Sequence, residues 1–173
     1  MKYIRAIILL LISAIITHLA VVVYWPSPVS DSTYMRVTAS FEPNKFYILK
    51  DGFGDDILQF DSHDLLYGIC HYELNDEALV VKADINDGFG ILAVYSEFGE
   101  ILFSINSRQT LLSEINVALL PVDAVNNLPD GMVFHRVASN KGMIIIRLAL
   151  SEKAYTEKVE NQLMGATCEP VKF

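Results

Sequence analysis

The stretch SHDLLYGICHYEL, residues 62–74, brings together His63, Asp64, Cys70, His71, Glu73 and two tyrosines. That inventory suits a thiolate–imidazole zinc site or a cysteine–histidine nucleophile, and either chemistry requires the side chains to converge on one atom. Convergence depends on the local element. The apolar, aromatic-rich run from Leu65 to Leu74 predicts a strand, in which neighbours point to opposite faces. Leu66, Gly68, Cys70, Tyr72 and Leu74 then share one side, and Tyr67, Ile69, His71 and Glu73 the other. Cys70 and His71 therefore point apart, with the sulfur in the core and the imidazole outward. No C-x-x-C or H-x-x-x-H pair completes a zinc set elsewhere in the chain, so neither a metal nor another cofactor is expected. Cys70 is instead free to bridge Cys168.

Other chemistries are also weakly supported. The nucleophile elbow of a serine hydrolase, G-x-S-x-G, is missing, as are phosphate-binding glycine loops. Asp64 with Tyr67 and Arg108 could line one end of a sandwich as a carboxylate centre of an envelope hydrolase, but Asp64 serves equally well to open a turn. Tyr67, Tyr95 and Arg108 could alternatively contact a saccharide or another small neutral ligand. His135 and Arg136 are adjacent on a strand, so they take opposite faces, and surface placement is expected for them.

The elements that position these residues are mostly strands. LLYGICHYEL, ALVVKADI, GILAVYSE, ILFSINS, INVALLPV, MVFHRVA and GMIIIRLAL follow one another, separated by turn sequences such as NDGFG, EFGE and SNKG. This predicts a mainly β fold, an antiparallel sandwich. A carboxy-terminal helix is expected in SEKAYTEKVENQLMG, capped by Ser151, with a Tyr155, Val159, Leu163 stripe, stopped by Gly165, and lying across the sheet. YMRVTASF reads as a short helix begun by Asp31 or Ser32, or as an edge strand ended by Pro43. The tetrapeptide DGFG, at 51–54 and 87–90, reads as two similar turns, because neither copy has the ligand spacing of a calcium loop.

Residues 6–24 contain no acid, lysine or arginine. At ~1.5 Å per residue this length nearly crosses a hydrocarbon core, and in lipid such a segment must be helical. The reading is a cytoplasmic amino terminus at 1–5, a transmembrane anchor at 6–25, a linker at 26–33 and a periplasmic domain at 34–173. Lys2 and Arg5 before the apolar run set that orientation by the positive-inside rule. The segment lacks the small-x-small site of a cleaved signal peptide, so an uncleaved anchor in the inner membrane is expected. Within it, Ser13 and Thr17 have spacing suited to close helix contact, and His18 adds a polar group that could join that contact.

Beyond residue 30 lie all 21 acidic residues against 11 basic ones, a formal charge of −10. Such a surface repels phosphate backbones, so nucleic acid is not an expected partner. Both cysteines also lie there, in the part read as exported to an oxidising compartment where disulfides persist.

HDLLYGICHYEL, then ALVVKA, GILAVYSEFGEILFSINSRQ and GMIIIRLALSE…CEP, resembles small inner-membrane proteins of alphaproteobacteria in domain-of-unknown-function family 1254 (DUF1254). In that family an aspartate-x-leucine-tyrosine run opens a strand, matched by Asp64, Leu66 and Tyr67, and a later strand ends in asparagine-x-arginine, matched by Asn106 and Arg108. The resemblance implies a jelly-roll sandwich. Larger relatives join this domain to a second one, numbered 1214, which implies a separate companion membrane protein of that kind here. The sequence departs from the pattern at Gly88–Gly90, where an aromatic-rich strand start is usual, and at Ser107, where aspartate is frequent.

Overall fold

The computed structural model describes residues 2–24, 32–49, 57–58, 62–75, 77–85, 89–110, 114–124, 132–150 and 156–172. The chain divides into two compact units, Met1–Ser32 and Thr33–Phe173. Among its described residues the first forms one helix, α1 (Lys2–Tyr24). Its residues from Tyr3 to Tyr24 are long and apolar enough to cross a membrane and are not buried against protein. The hydroxyl of Ser13 donates to the Leu10 carbonyl inside the same helix, at 2.9 Å.

In the second unit the ambiguous stretch after Ser32 is helical, forming α2 (Thr33–Ser40), followed by a short strand, β1 (Tyr47–Leu49). Tyr34 and Val37, three apart, occupy one buried face of α2. Strands β2 (Leu65–Glu73), β3 (Ala78–Asp84), β4 (Gly90–Ser96) and β5 (Ile101–Asn106) follow, then a one-turn helix, α3 (Ser107–Thr110). Next come β6 (Glu114–Pro121), β7 (Val133–Val137) and β8 (Lys141–Ala149). The carboxy-terminal helix α4 (Thr156–Met164) precedes a last strand, β9 (Thr167–Val171). Ser151 and Tyr155 lie outside the described residues.

Two sheets result, one ordered β1-β2-β8-β4-β5 and the other β7-β6-β3-β9. The antiparallel expectation needs one correction: β6 and β7 pair in parallel. A connection of about a dozen residues separates them, which is long enough for a parallel crossover. Between the sheets lies a core of Leu66, Cys70, Tyr72, Leu79, Val81, Leu92, Val94, Ile115, Val117, Leu119, Ile144 and Ile146. Val159 and Leu163 of α4 enter the same core, so the helix packs on the sandwich through its apolar stripe.

Tyr72 is fully buried there, and its hydroxyl has no hydrogen-bond partner among the described residues. Burial, and then the nearby Tyr34 and Glu97, push its phenol far above the ordinary range, so it stays neutral. Removing an unsatisfied buried hydroxyl removes a desolvation cost. Tyr72→Phe is therefore expected to leave stability unchanged or raise it by up to about 1 kcal/mol, read from the urea midpoint.

Candidate functional site

Strand β2 distributes the opening cluster as pleating requires. Cys70 faces inward, fully buried, and is disulfide-bonded to Cys168 on β9, with S–S 1.95 Å and Cα–Cα 6.5 Å. The bond joins the two sheets through the core. His71 faces the other way, but solvent does not reach it as the sequence suggested, since it is only 3% exposed. That outer face is covered by Tyr34 and Val37 of α2 with Ile57 and Leu58, packed on Tyr67, Ile69, Met143 and Ile145. His71 follows Ile69 and pairs across the sheet with Met143, beneath the same cover.

The His71 Nδ1 atom has no hydrogen-bond partner among the described residues. Burial lowers the imidazole's pKa below 6.5, while Glu73 pulls it upward more weakly. Between that depressed value and 6.5 the unfolded chain binds more protons than the folded one, so stability falls as pH drops through this window. The urea midpoint should decline between pH 7.5 and 5. That part of the decline should be missing in His71→Met.

The residues singled out as ligand contacts are only partly brought together. Tyr67 on β2 and Tyr95 on β4 share the outer face of the five-stranded sheet, on either side of β8. The Tyr67 hydroxyl accepts from the Ser62 amide at 3.0 Å. Arg108 stands at the sheet's edge on α3, its guanidinium 5.4 Å above the Phe89 ring. Asp64 is exposed in the turn before β2, and its carbonyl accepts from the Leu150 amide at 2.8 Å. Strands β2 and β5 are three interstrand spacings apart, roughly 14 Å at the backbone, with β8 and β4 between them.

Arg147 of β8 is the residue that sequence reasoning missed. It pairs with Tyr67 on one side and Ile91 on the other, and its Nη2 donates to the Tyr95 hydroxyl at 2.9 Å. Ala93 lies between Ile91 and Tyr95 on that face of β4. The available signal was a single charge inside the apolar run GMIIIRLAL. His135, expected at the surface, stacks on Phe103 of the facing sheet at 4.8 Å between ring centroids. The neighbouring Arg136 donates to the Val122 and Ala124 carbonyls at 2.8 and 2.7 Å. Among the described residues no group of three His, Cys, Asp or Glu side chains is arranged to hold a metal ion.

A family model described as "Protein of unknown function (DUF1254)" matches residues 43–170. The chain belongs to the DUF1254 family. That match runs from just before β1 to β9, so both sheets and the disulfide lie within the family's domain. No curated protein matches the chain. Among solved structures the fold is similar to the VPA0106 protein of Vibrio parahaemolyticus, with TM-score 0.65 and 15% identity. The likeness covers 81% of this chain and 34% of that one. It is also similar to a putative uncharacterized protein from Burkholderia cenocepacia, with TM-score 0.51 and 13% identity over 75% of this chain and 34% of that one. This DUF1254 chain thus spans about a third of the length of the solved chains it matches.

Proposed function

We propose that this DUF1254 chain is a membrane-anchored interaction module of a bacterial cell envelope, working with a companion membrane-anchored protein. The amino terminus is cytoplasmic, the anchor lies in the inner membrane and the sandwich is periplasmic. Support for the placement comes from the apolar helix preceded by Lys2 and Arg5 and from a core disulfide, a bond that persists in oxidising compartments. The observation that carries the interaction reading is on β7, where Val133 and Phe134 are 39% and 52% exposed on an edge strand. Apolar side chains left on a rim of this kind favour a protein partner.

The test is a photoreactive amino acid at position 134 in full-length protein, activated in native membranes and followed by mass spectrometry. A covalent adduct with a different membrane protein is expected. Recovery of uncrosslinked monomer alone would remove the reading's support.

A second reading, a small-molecule or saccharide site, is favoured by Arg147, whose half-buried guanidinium has a phenol as its hydrogen-bond partner. Saccharides that raise the thermal midpoint of the native chain but not of Arg147→Met would support it.

A further inference from the structure

A sandwich must protect four edge strands, because each offers unpaired backbone groups to another chain. Three edges here carry recognisable protection. Strand β1 is three residues long, β9 contains Glu169 and Pro170, and β7 carries Arg136. The fourth, β5, reads ILFSIN, with no charge or proline. Its one protective feature is the bulge at Leu102, where the register with β4 shifts, and beyond it Phe103–Asn106 is regular. Ile101 is 64% exposed on this strand and Phe98, in the preceding turn, 78%.

The flanks of β5 carry opposite charges. Glu100 precedes it and Arg108 follows it, both exposed. Centring an antiparallel copy of β5 on Ser104 places Ser104 opposite Ser104 and Phe103 opposite Ile105, and brings the turn that carries Glu100 in one copy towards the α3 turn that carries Arg108 in the other. Facing residues then share a sheet face, as pairing requires. A two-fold axis repeats that approach, so an acidic flank meets a basic one at both ends of the rim.

We infer that β5 is a self-association edge, and that two copies of this chain join their five-stranded sheets into one continuous sheet about Ser104. This goes beyond the companion reading and uses a different rim, so either can fail alone: position 134 reads the companion and position 104 the second copy.

The test uses full-length Ser104→Cys in native membranes under mild oxidation. Directly opposed residues in an antiparallel pair have Cα atoms ~4.5–5.5 Å apart, within disulfide range. A reductant-sensitive species of twice the monomer mass is expected. Lys82→Cys, exposed on the other sheet, should give none. In the Ser104→Cys background, Glu100→Arg or Arg108→Glu alone should lower the dimer yield about tenfold, from two like-charge contacts per dimer. The two changes together should restore it to within about twofold. Absence of the Ser104→Cys dimer, a crosslink to a different protein, an equal yield from Lys82→Cys, or failure of the double charge exchange to restore it would each overturn the inference.

Discussion

Replacing both cysteines, Cys70→Ala with Cys168→Ala, is expected to destabilise the sandwich by about 4 to 5 kcal/mol. The two residues are 98 apart in sequence, and tying a loop of about 100 residues removes denatured-state entropy worth ~4.7 kcal/mol. The bond also joins strands of different sheets, so without it β9 is held to the rest of the core by its pairing with β3 and by packing alone. Against a total stability of ~5–15 kcal/mol for a domain, this is a large share. It corresponds to a fall in thermal midpoint of roughly 15 °C. Near-UV circular dichroism of the full chain in micelles, with temperature or urea as the variable, reads the change. A shift under about 1 kcal/mol would mean that packing alone holds the sheets together.

The second large effect is expected at Gly142 on β8. It lies between Tyr72 on β2 and Ser96 on β4 in one cross-strand row. A Cβ there would run into the Tyr95 carbonyl oxygen and come within 2.6 Å of the Tyr72 hydroxyl. The first obstacle is backbone of a paired strand, so relief requires β4 and β8 to separate. Gly142→Ala should cost about 3 kcal/mol, the upper part of the range for overpacked cores. Adding Tyr72→Phe removes the hydroxyl but leaves the ring carbon that bore it, 2.7 Å from the same point, and should recover little. Gly68→Ala makes the useful comparison, because it meets the Phe46 ring, a side chain that can turn aside, and should cost less. The same urea titration measures all three variants. Equal losses for Gly68→Ala and Gly142→Ala would count against the backbone argument.

Most of the sheet was legible because each of the seven long runs alternates or is uniformly apolar and ends at turn residues. The missing strands had weak local signals. Tyr47–Leu49 is too short to show a period, and Thr167–Val171 contains Pro170, which argues against a strand when read alone. Both form through long-range pairing, with β2 and β3 respectively. The parallel pairing of β7 is long-range in the same way.

At the candidate site, local alternation correctly separated Cys70 from His71. It could not show what covers each face. The face that carries His71 is covered because Tyr34 and Val37 fold as a helix and so form one apolar surface, whereas their stretch reads equally as helix or strand. Arg147 escaped notice because the run around it describes a buried strand, while its partner Tyr95 lies 52 residues away. Tyr67 and Tyr95 do share a face, but Asp64 belongs to a turn and Arg108 to a rim.

The Cys70–Cys168 bond pins the sandwich across its core and leaves no thiol for chemistry beside His71. Its most direct test is thiol counting with a maleimide-polyethylene glycol reagent, on full-length protein denatured straight from native membranes. No adduct is expected before reduction and two after it. Two adducts without reductant would contradict it, because both sulfurs would then be free and the domain would belong to a reducing compartment.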